Sequence, residues 1–596
     1  MFFRQKNMKS YSKLLATVLC LFMTNIASAM LGPIPIYLNS EYRTSQNIVG
    51  STSSAISFTK EEILSSGASN IGELLDSVSG INYESGQGNL TSFRIRGNEA
   101  SHTLLIIDGS KITITATQPN LDLIPLEIID QIDILKGPFS ALYGPGALGG
   151  VIVIKTSMEQ KDSNSIVTSI GSNNLYQVSL SSNNKLKKGK LNFTLGIEHT
   201  DGINARTDDT SGEKDSIDKE FIKLGLNKQI NHDTDINLNL LSINNEIGYD
   251  PNPAWGETES DVRPDNNLDQ INFEFKKQVN ENFSSELMLN HQRSQRRGDK
   301  YELNSFVVKN DYQHNNSLFS IGIEKESDKD INNNAYIKHT DLFGQYLTSF
   351  EGNNLSLGYR LVDHDKFKKH HIYNLGWSRL MERGIELNAK IGKSTNLPNH
   401  YDNNLNLTKP ATSLKPEHNK SLEFGIKVNQ LLITLFKNKT KDAFKYSDDW
   451  SYVINANGIE NQGFELSYSS KFRNFGIDTY YTYLESVDTA TKLQQGRRPK
   501  HSFNITLTRE YKGFDNKLEY IARSSTFEHD DNLTRGKNSG YSLINFGTIY
   551  QFDSDTDIQL KINNLLDKKY TIAKTSTIDS YNQPGREFKI SLINKF

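Results

Sequence analysis

The sequence predicts a transmembrane β-barrel of antiparallel strands preceded by a small α+β domain, and three observations point to it. From about residue 160 onward, short apolar runs alternate residue by residue between connectors rich in Asn and Asp. Before them lies a glycine-dense stretch, Ile129 to Thr156, in which two β-branched runs flank a tight connector. The last run, Phe588, Ile590, Leu592 and Phe596, alternates along the final stretch, with Asn594 departing from the pattern, and stops on an aromatic residue.

Composition sets the bounds. The 596 residues carry 67 basic and 70 acidic side chains, so the charge balance gives no electrostatic footprint for nucleic acid. After residue 30 no run approaches the roughly 20 apolar residues of a membrane helix. A barrel strand shows lipid only every second residue, so a polar average is compatible with a membrane barrel. The 26 Tyr and 29 Phe suit the aromatic girdles of such a barrel, and equally a soluble β-protein. Residues 1–29 read as a signal peptide. Lys9 and Lys13 precede the apolar Leu14 to Met23, and Ala27-Ser28-Ala29 forms a small-x-small cleavage site. The only cysteine, Cys20, falls inside that segment behind the large Leu19, which argues against a lipoprotein. The mature chain then has neither disulfides nor a thiolate nucleophile.

Taken in order, Gly32 to Asn39 is a short apolar piece whose Pro33 and Pro35 discourage pairing within a folded sheet. Ala55 to Phe58 reads as a strand, and Thr59-Lys-Glu-Glu62 opens a helix with a capping box. Asn70 starts a second helix, and Thr103 to Ile107 is a buried strand running into the Asp108-Gly109 turn. Gly144-x-Gly146-x-x-Gly149 formally matches a dinucleotide fingerprint, but that motif needs a helix after it, and the strand Val151 to Ile154 follows instead. The alternating series continues through Leu191 to Ile197, Ile236 to Leu240, Phe319 to Ile323, Phe503 to Leu507 and Ile544 to Phe546. Split into about 22 strands, the remaining residues give roughly 20 per strand and connector, of which a tilted membrane strand takes roughly 9–11. A soluble propeller could spend residues the same way. A closing strand at the C-terminus favours the barrel, because closure removes the sheet edge.

Lys136-Gly137-Pro138, Ala141-Leu142-Tyr143-Gly144 and Ala147-Leu148-Gly149-Gly150 resemble the end of the plug domain of TonB-dependent outer-membrane transporters. The resemblance is nearly continuous over residues 55–156, through Ile95-Arg96-Gly97 and Leu105 to Gly109. Leu414 to Glu417, Ile562 to Tyr570 and Pro584-Gly585-Arg586 resemble barrel landmarks of the same family, in the same order. Ser85-Gly86-Gln87 and Ala100-Ser101-His102 bring it nearest to the cobalamin receptors within the family.

The resemblance implies an α+β plug at residues 41–157 inside the lumen of a barrel of about 22 antiparallel strands at 158–596, and a TonB-box segment at 30–40. Ile36, Tyr37 and Leu38 would pair as an added strand with TonB, which draws on its inner-membrane motor complex. Gln87, Asn89, Thr113, Thr115 and Gln118 would face the ligand from the plug's apical loops. Arg94 and Arg96 would pair with carboxylates on the barrel wall, Glu465 being the candidate partner. Asp208, Asp209, Asp215 and Asp218 in one connector, with Asp250 and Asp261 in the next, would offer hard oxygens to calcium. His102 reads as a turn histidine and His370-His371 as a solvated pair.

No HExxH, GxSxG or P-loop lysine is present, which argues against an enzyme. The implied function is active import of a scarce, bulky ligand by a monomer in the outer membrane of a Gram-negative bacterium. A corrinoid is the first choice of ligand, with a ferric siderophore or haem as the alternative. A surface adhesin or a passive pore on the same barrel is the rival from another class.

Overall fold

The computed structural model describes residues 39–43, 51–87, 90–112, 121–156, 162–250, 262–400, 402–403, 413–446 and 452–596. Twenty-two strands form one closed antiparallel barrel. Its last strand, Glu587–Lys595, pairs with its first, Ser163–Gly171, with Ile590 opposite Ile170 and Leu592 opposite Thr168. Closure leaves no unpaired edge to the barrel.

Alternation explains how a polar chain forms this wall. In the strand Ser317–Asp330, Phe319 and Ile321 are 60% and 56% exposed on the outside, while Leu318, Ser320 and Glu324 are buried inside. Among the described residues, no helix is long and apolar enough to cross a membrane; a closed barrel is the other structure whose backbone can do so. At one end the strands join through turns of two to four residues. Glu351-Gly352 and Lys512-Gly513 take positive φ at both positions, as tight hairpins require. The other end carries all the long connectors, among them 201–216, 248–265, 397–416 and 564–586, together with a few short hairpins. Short turns face the periplasm in such barrels and long loops face outward.

The N-terminal domain fills the lumen. Its sheet has the order β1 (Ala55–Thr59), β6 (Gln131–Lys136), β7 (Gly150–Lys155), β4 (Thr103–Ile107) and β5 (Ser110–Lys111), beside a hairpin of β2 (Ile81–Gln87) and β3 (Leu90–Ile95). Thr59 caps the helix Lys60–Ser66 through the capping box read from sequence, and Asn70 caps the helix Ile71–Asp76. Ile63, Leu75, Ile132, Ile134 and Ile152 form the plug core, and wall residues Phe221, Leu241 and Ile243 join the same apolar cluster. The glycine-dense connector holds one helical turn, Ser140–Tyr143, before β7. A Cβ on Gly150 would stand 2.4 Å from the Leu135 carbonyl oxygen, so only glycine lets β6 and β7 approach there. Polar groups fasten the plug to opposite sides of the wall. Asn504 donates to Asp76 O, Gln559 to Leu64 O and Gln345 to Tyr42 O.

Candidate functional site

The densest chemistry lies where the plug meets the wall. β3 ends at Ile95, and Arg96 takes a left-handed backbone, φ 51, that turns its side chain into the barrel wall. There it is 2% exposed. Its Nε donates to Glu465 Oε1 at 2.9 Å, its Nη2 to Glu465 Oε2 at 3.1 Å, and its Nη1 to Glu423 Oε2. Lys136 of β6 donates to Glu465 at 3.1 Å and to Ser79 O at 2.7 Å. Burial lowers the Lys136 ammonium pKa, opposed by Glu465. Ser54 closes the knot, donating its N–H and hydroxyl to Glu423 Oε1 at 2.8 and 3.0 Å.

Arg94 corrects the expectation that both arginines meet the wall. It pairs within the plug, with Glu84 at 2.5 Å and Glu99 at 3.5 Å. The physical reason is the backbone turn at Arg96. Arg94 keeps the strand geometry and stays over the partner strand, where it lies opposite Asn82. At Glu99 the polarity is reversed, since Arg498, in the outer connector between the strands Phe475–Asp488 and His501–Tyr511, reaches in to that plug carboxylate. Burial alone would raise the Glu99 pKa, but Arg498 and Arg94 prevail and hold it at about 2.

Two further contacts were not foreseen. His102, expected as a plain turn histidine, donates from Nε2 to Glu417 Oε2 at 2.8 Å and is buried. Burial works against its protonation, yet Glu417 raises its pKa. Glu417 Oε1 also accepts the Phe444 N–H of an outer loop at 2.8 Å, so one carboxylate joins loop, wall and plug. Arg360 of the wall donates to Leu142 O of the plug at 2.7 Å while held by Asp341 at 2.7 Å and Glu324 at 3.1 Å. The signal for Glu423 was available. It lies six positions beyond Glu417 on the same strand, and even spacings share a face.

Ahead of the plug sheet, Asn39–Tyr42 forms a single helical turn. Tyr42 is buried against wall residues Leu318 and Leu347, and Glu41 Oε1 accepts from Thr52 N at 3.0 Å and Ser53 Oγ at 2.9 Å. Arg43 donates to Leu142 O at 2.8 Å and lies 3.5 Å from Glu324.

In the outer loops, Asp215 and Asp250 come together with Glu213, one oxygen of each lying within 4.8 Å of the others. Burial pushes the Asp250 pKa up to about 6, against the pull of Arg206. Crowded, buried carboxylates repel unless a proton or cation sits among them. Their hard oxygens suit a divalent cation such as calcium. Asp208 is instead bound by Arg206 at 2.7 Å, Asp209 by Ser211 and Asn204, and Asp218 by His199 at 2.6 Å. Gln87 ends β2 opposite Leu90. Asp261, Asn89, Thr113, Thr115, Gln118, Ile36, Tyr37 and Leu38 lie outside the described residues.

Comparison with known proteins agrees with this architecture. Residues 47–151 match the TonB-dependent Receptor Plug Domain family, and residues 162–565 match the TonB dependent receptor-like β-barrel family. The vitamin B12 transporter BtuB of Photobacterium profundum is 25% identical over 90% of this chain and 92% of its own length. The Vibrio vulnificus BtuB is 24% identical, again over 90% and 92%. Among solved structures, the siderophore receptor PirA from Acinetobacter baumannii superposes with a TM-score of 0.79 at 17% identity, covering 94% of this chain and all of that one. The copper transporter OprC gives 0.76 at 16% identity, covering 92% and 99%. With a plug seated in a closed 22-strand barrel and both parts matched in sequence, the chain belongs to the TonB-dependent outer-membrane receptors.

Proposed function

We propose that this receptor imports a bulky metal chelate, with TonB supplying the work through the segment around Ile36, Tyr37 and Leu38. The observation that carries the reading is the plug, held in the lumen by buried ion pairs at Arg96, Lys136 and His102. A passive pore needs no such stopper, and an adhesin has no use for it. The ligand would dock above the plug, against the loops holding Gln87, Asn89, Thr113, Thr115 and Gln118.

Two ligand classes are in contention. A ferric siderophore is supported by the company the fold keeps, which includes PirA and the ferric enterobactin receptor PfeA from Pseudomonas aeruginosa. A corrinoid is supported by the relatives named vitamin B12 transporters, which match along nearly the whole chain, and by the acidic Glu213, Asp215 and Asp250 cluster. Titrating purified receptor with cyanocobalamin, haem and several ferric siderophores, each with and without calcium, separates them. If a corrinoid is the ligand, calcium should tighten its binding by roughly 5–150-fold, the usual range for coupled sites. Asp250→Asn should abolish that gain. Tight binding of a siderophore, indifferent to calcium, would assign the chain to the siderophore class.

A further inference from the structure

Near the short-turn end, the outward face of the wall carries a hollow of about 330 Å³, lined by Phe472, Phe475, Leu507, Arg509, Leu518 and Phe546. Strand register shows how it is built. One cross-strand row, Ser470, Ile477, Leu507, Leu518 and Phe546, forms a floor that is apolar apart from Ser470. The next row towards the turns runs Phe472, Phe475, Arg509, Asn516 and Thr548, and turns polar halfway along. Phe472 and Phe475 are 70% and 51% exposed, which fixes this face as the one that meets lipid.

An arginine, an amide and a hydroxyl side by side on a lipid-facing row need an explanation. The Arg509 guanidinium lies 4.9 Å from the Phe475 ring centre and 5.0 Å from that of Tyr511, which orients it along the wall. Among the described residues, no carboxylate forms an ion pair with it. The neighbouring Glu510 is held by Lys471 at 2.6 Å, and Asp515 lies opposite Glu510 on the lumenal side of the register. Arg473 and Lys512, in the two adjoining turns, are both exposed, so the lip of the hollow is cationic. Thr548 Oγ1 donates to Asn516 Oδ1 at 3.1 Å, so the polar end of the row is itself hydrogen-bonded.

We propose that this hollow binds one glycerophospholipid of the periplasmic leaflet. Its phosphate sits on Arg509, and one acyl chain lies along Leu507, Leu518 and Phe546. The charge decides the class. A cationic lip above an apolar floor complements an anionic head group on a hydrocarbon chain, as neither a soluble metabolite nor a neutral lipid does. Lysine and arginine at a membrane interface bury their stems and present charge to the head groups, and here a shaped cavity is added.

Native mass spectrometry of delipidated full-length receptor, with phosphatidylglycerol added back in detergent, tests this. The parent should retain one phospholipid. Arg509→Gln should weaken retention by about tenfold, the scale of one lost charge-assisted hydrogen bond. Ser470→Phe, which fills the floor without changing charge, should weaken it too. Arg379 is an exposed outward arginine near the same rim, away from the hollow, and Arg379→Gln should change nothing. Heat-dependent gel mobility confirms that each barrel is folded. Equal retention by Arg509→Gln and Arg379→Gln would reduce the contact to a general cationic rim and overturn the proposal. So would a parent that retains no phospholipid.

Discussion

Arg96 shows what a single side chain does in this molecule. Its guanidinium is buried against two carboxylates, and each partner depends on the other being present. Arg96→Ala would take the guanidinium from Glu423, which keeps its Ser54 bonds, and leave Glu465 to Lys136; breaking a buried pair typically costs about 3–5 kcal/mol. Because the mature chain is read as free of cysteine, Ala147→Cys gives a clean reporter in the plug core, and its reaction with a thiol reagent should begin at lower urea in the Arg96→Ala background. Glu99 adds a pH dependence. Its pKa is held at about 2 against an ordinary 4.5, so the folded state favours the carboxylate. That stabilisation is complete above about pH 4.5 and is lost as the pH falls through about 2. Glu99→Gln should therefore flatten the acid dependence of plug release in that window. Arg96 and Glu465 were legible because both sit in short family-like words. Arg94 was misplaced because those words carry no information about a left-handed φ two residues later.

At the scale of elements, the helical turn Asn39–Tyr42 stands between the proposed TonB-binding segment and the plug sheet. Proline at position 37 would remove a strand hydrogen-bond donor, so Tyr37→Pro should stop uptake while ligand affinity stays unchanged. Equal loss of both would place the segment in the binding site. Tyr42→Ala deletes a buried ring, a change of about 3–5 kcal/mol for aromatic truncations in a core. A spin label at Ser40 should become mobile in that variant while the barrel keeps its heat-dependent gel shift. This turn was not legible in the sequence. Four residues give no helical periodicity, and the expected boundary at residue 40 runs through the middle of it. The two plug helices were legible, because Thr59 and Asn70 carry side chains that satisfy helix N-termini.

For the whole molecule, stability and topology are tied to closure. Deleting residues 587–596 would expose the edges of the first strand and of Thr556–Asn563, both of which pair with the last strand. The shortened chain should fail to show the compact, heat-sensitive gel band of a folded barrel; if it does show that band, closure is not what holds the sheet. Alternation made the barrel readable, since period two is written locally along each strand. The fit of plug to wall was not readable in the same way. Arg96 and Glu465 stand 369 positions apart, and Arg360 and Leu142 stand 218 apart. Nothing local in either partner specifies such a pairing, which arises only once a closed wall curves around the inner sheet.

The unequal ends of the barrel also make it a frame for carrying foreign peptides. Gly298, in a hairpin at the long-loop end, has φ 87 and no atom within 4 Å of where a side chain would begin. Gly536, in another outer loop, is equally open. An epitope spliced after either glycine would project into the medium and should be stained by antibody on intact cells. The same epitope spliced into the Lys187-Lys188 turn, at the opposite end, should be stained only after the cell envelope is breached. The architecture thus offers paired insertion points of opposite exposure on one scaffold, enough to turn a receptor into a surface-display vehicle with its own internal control.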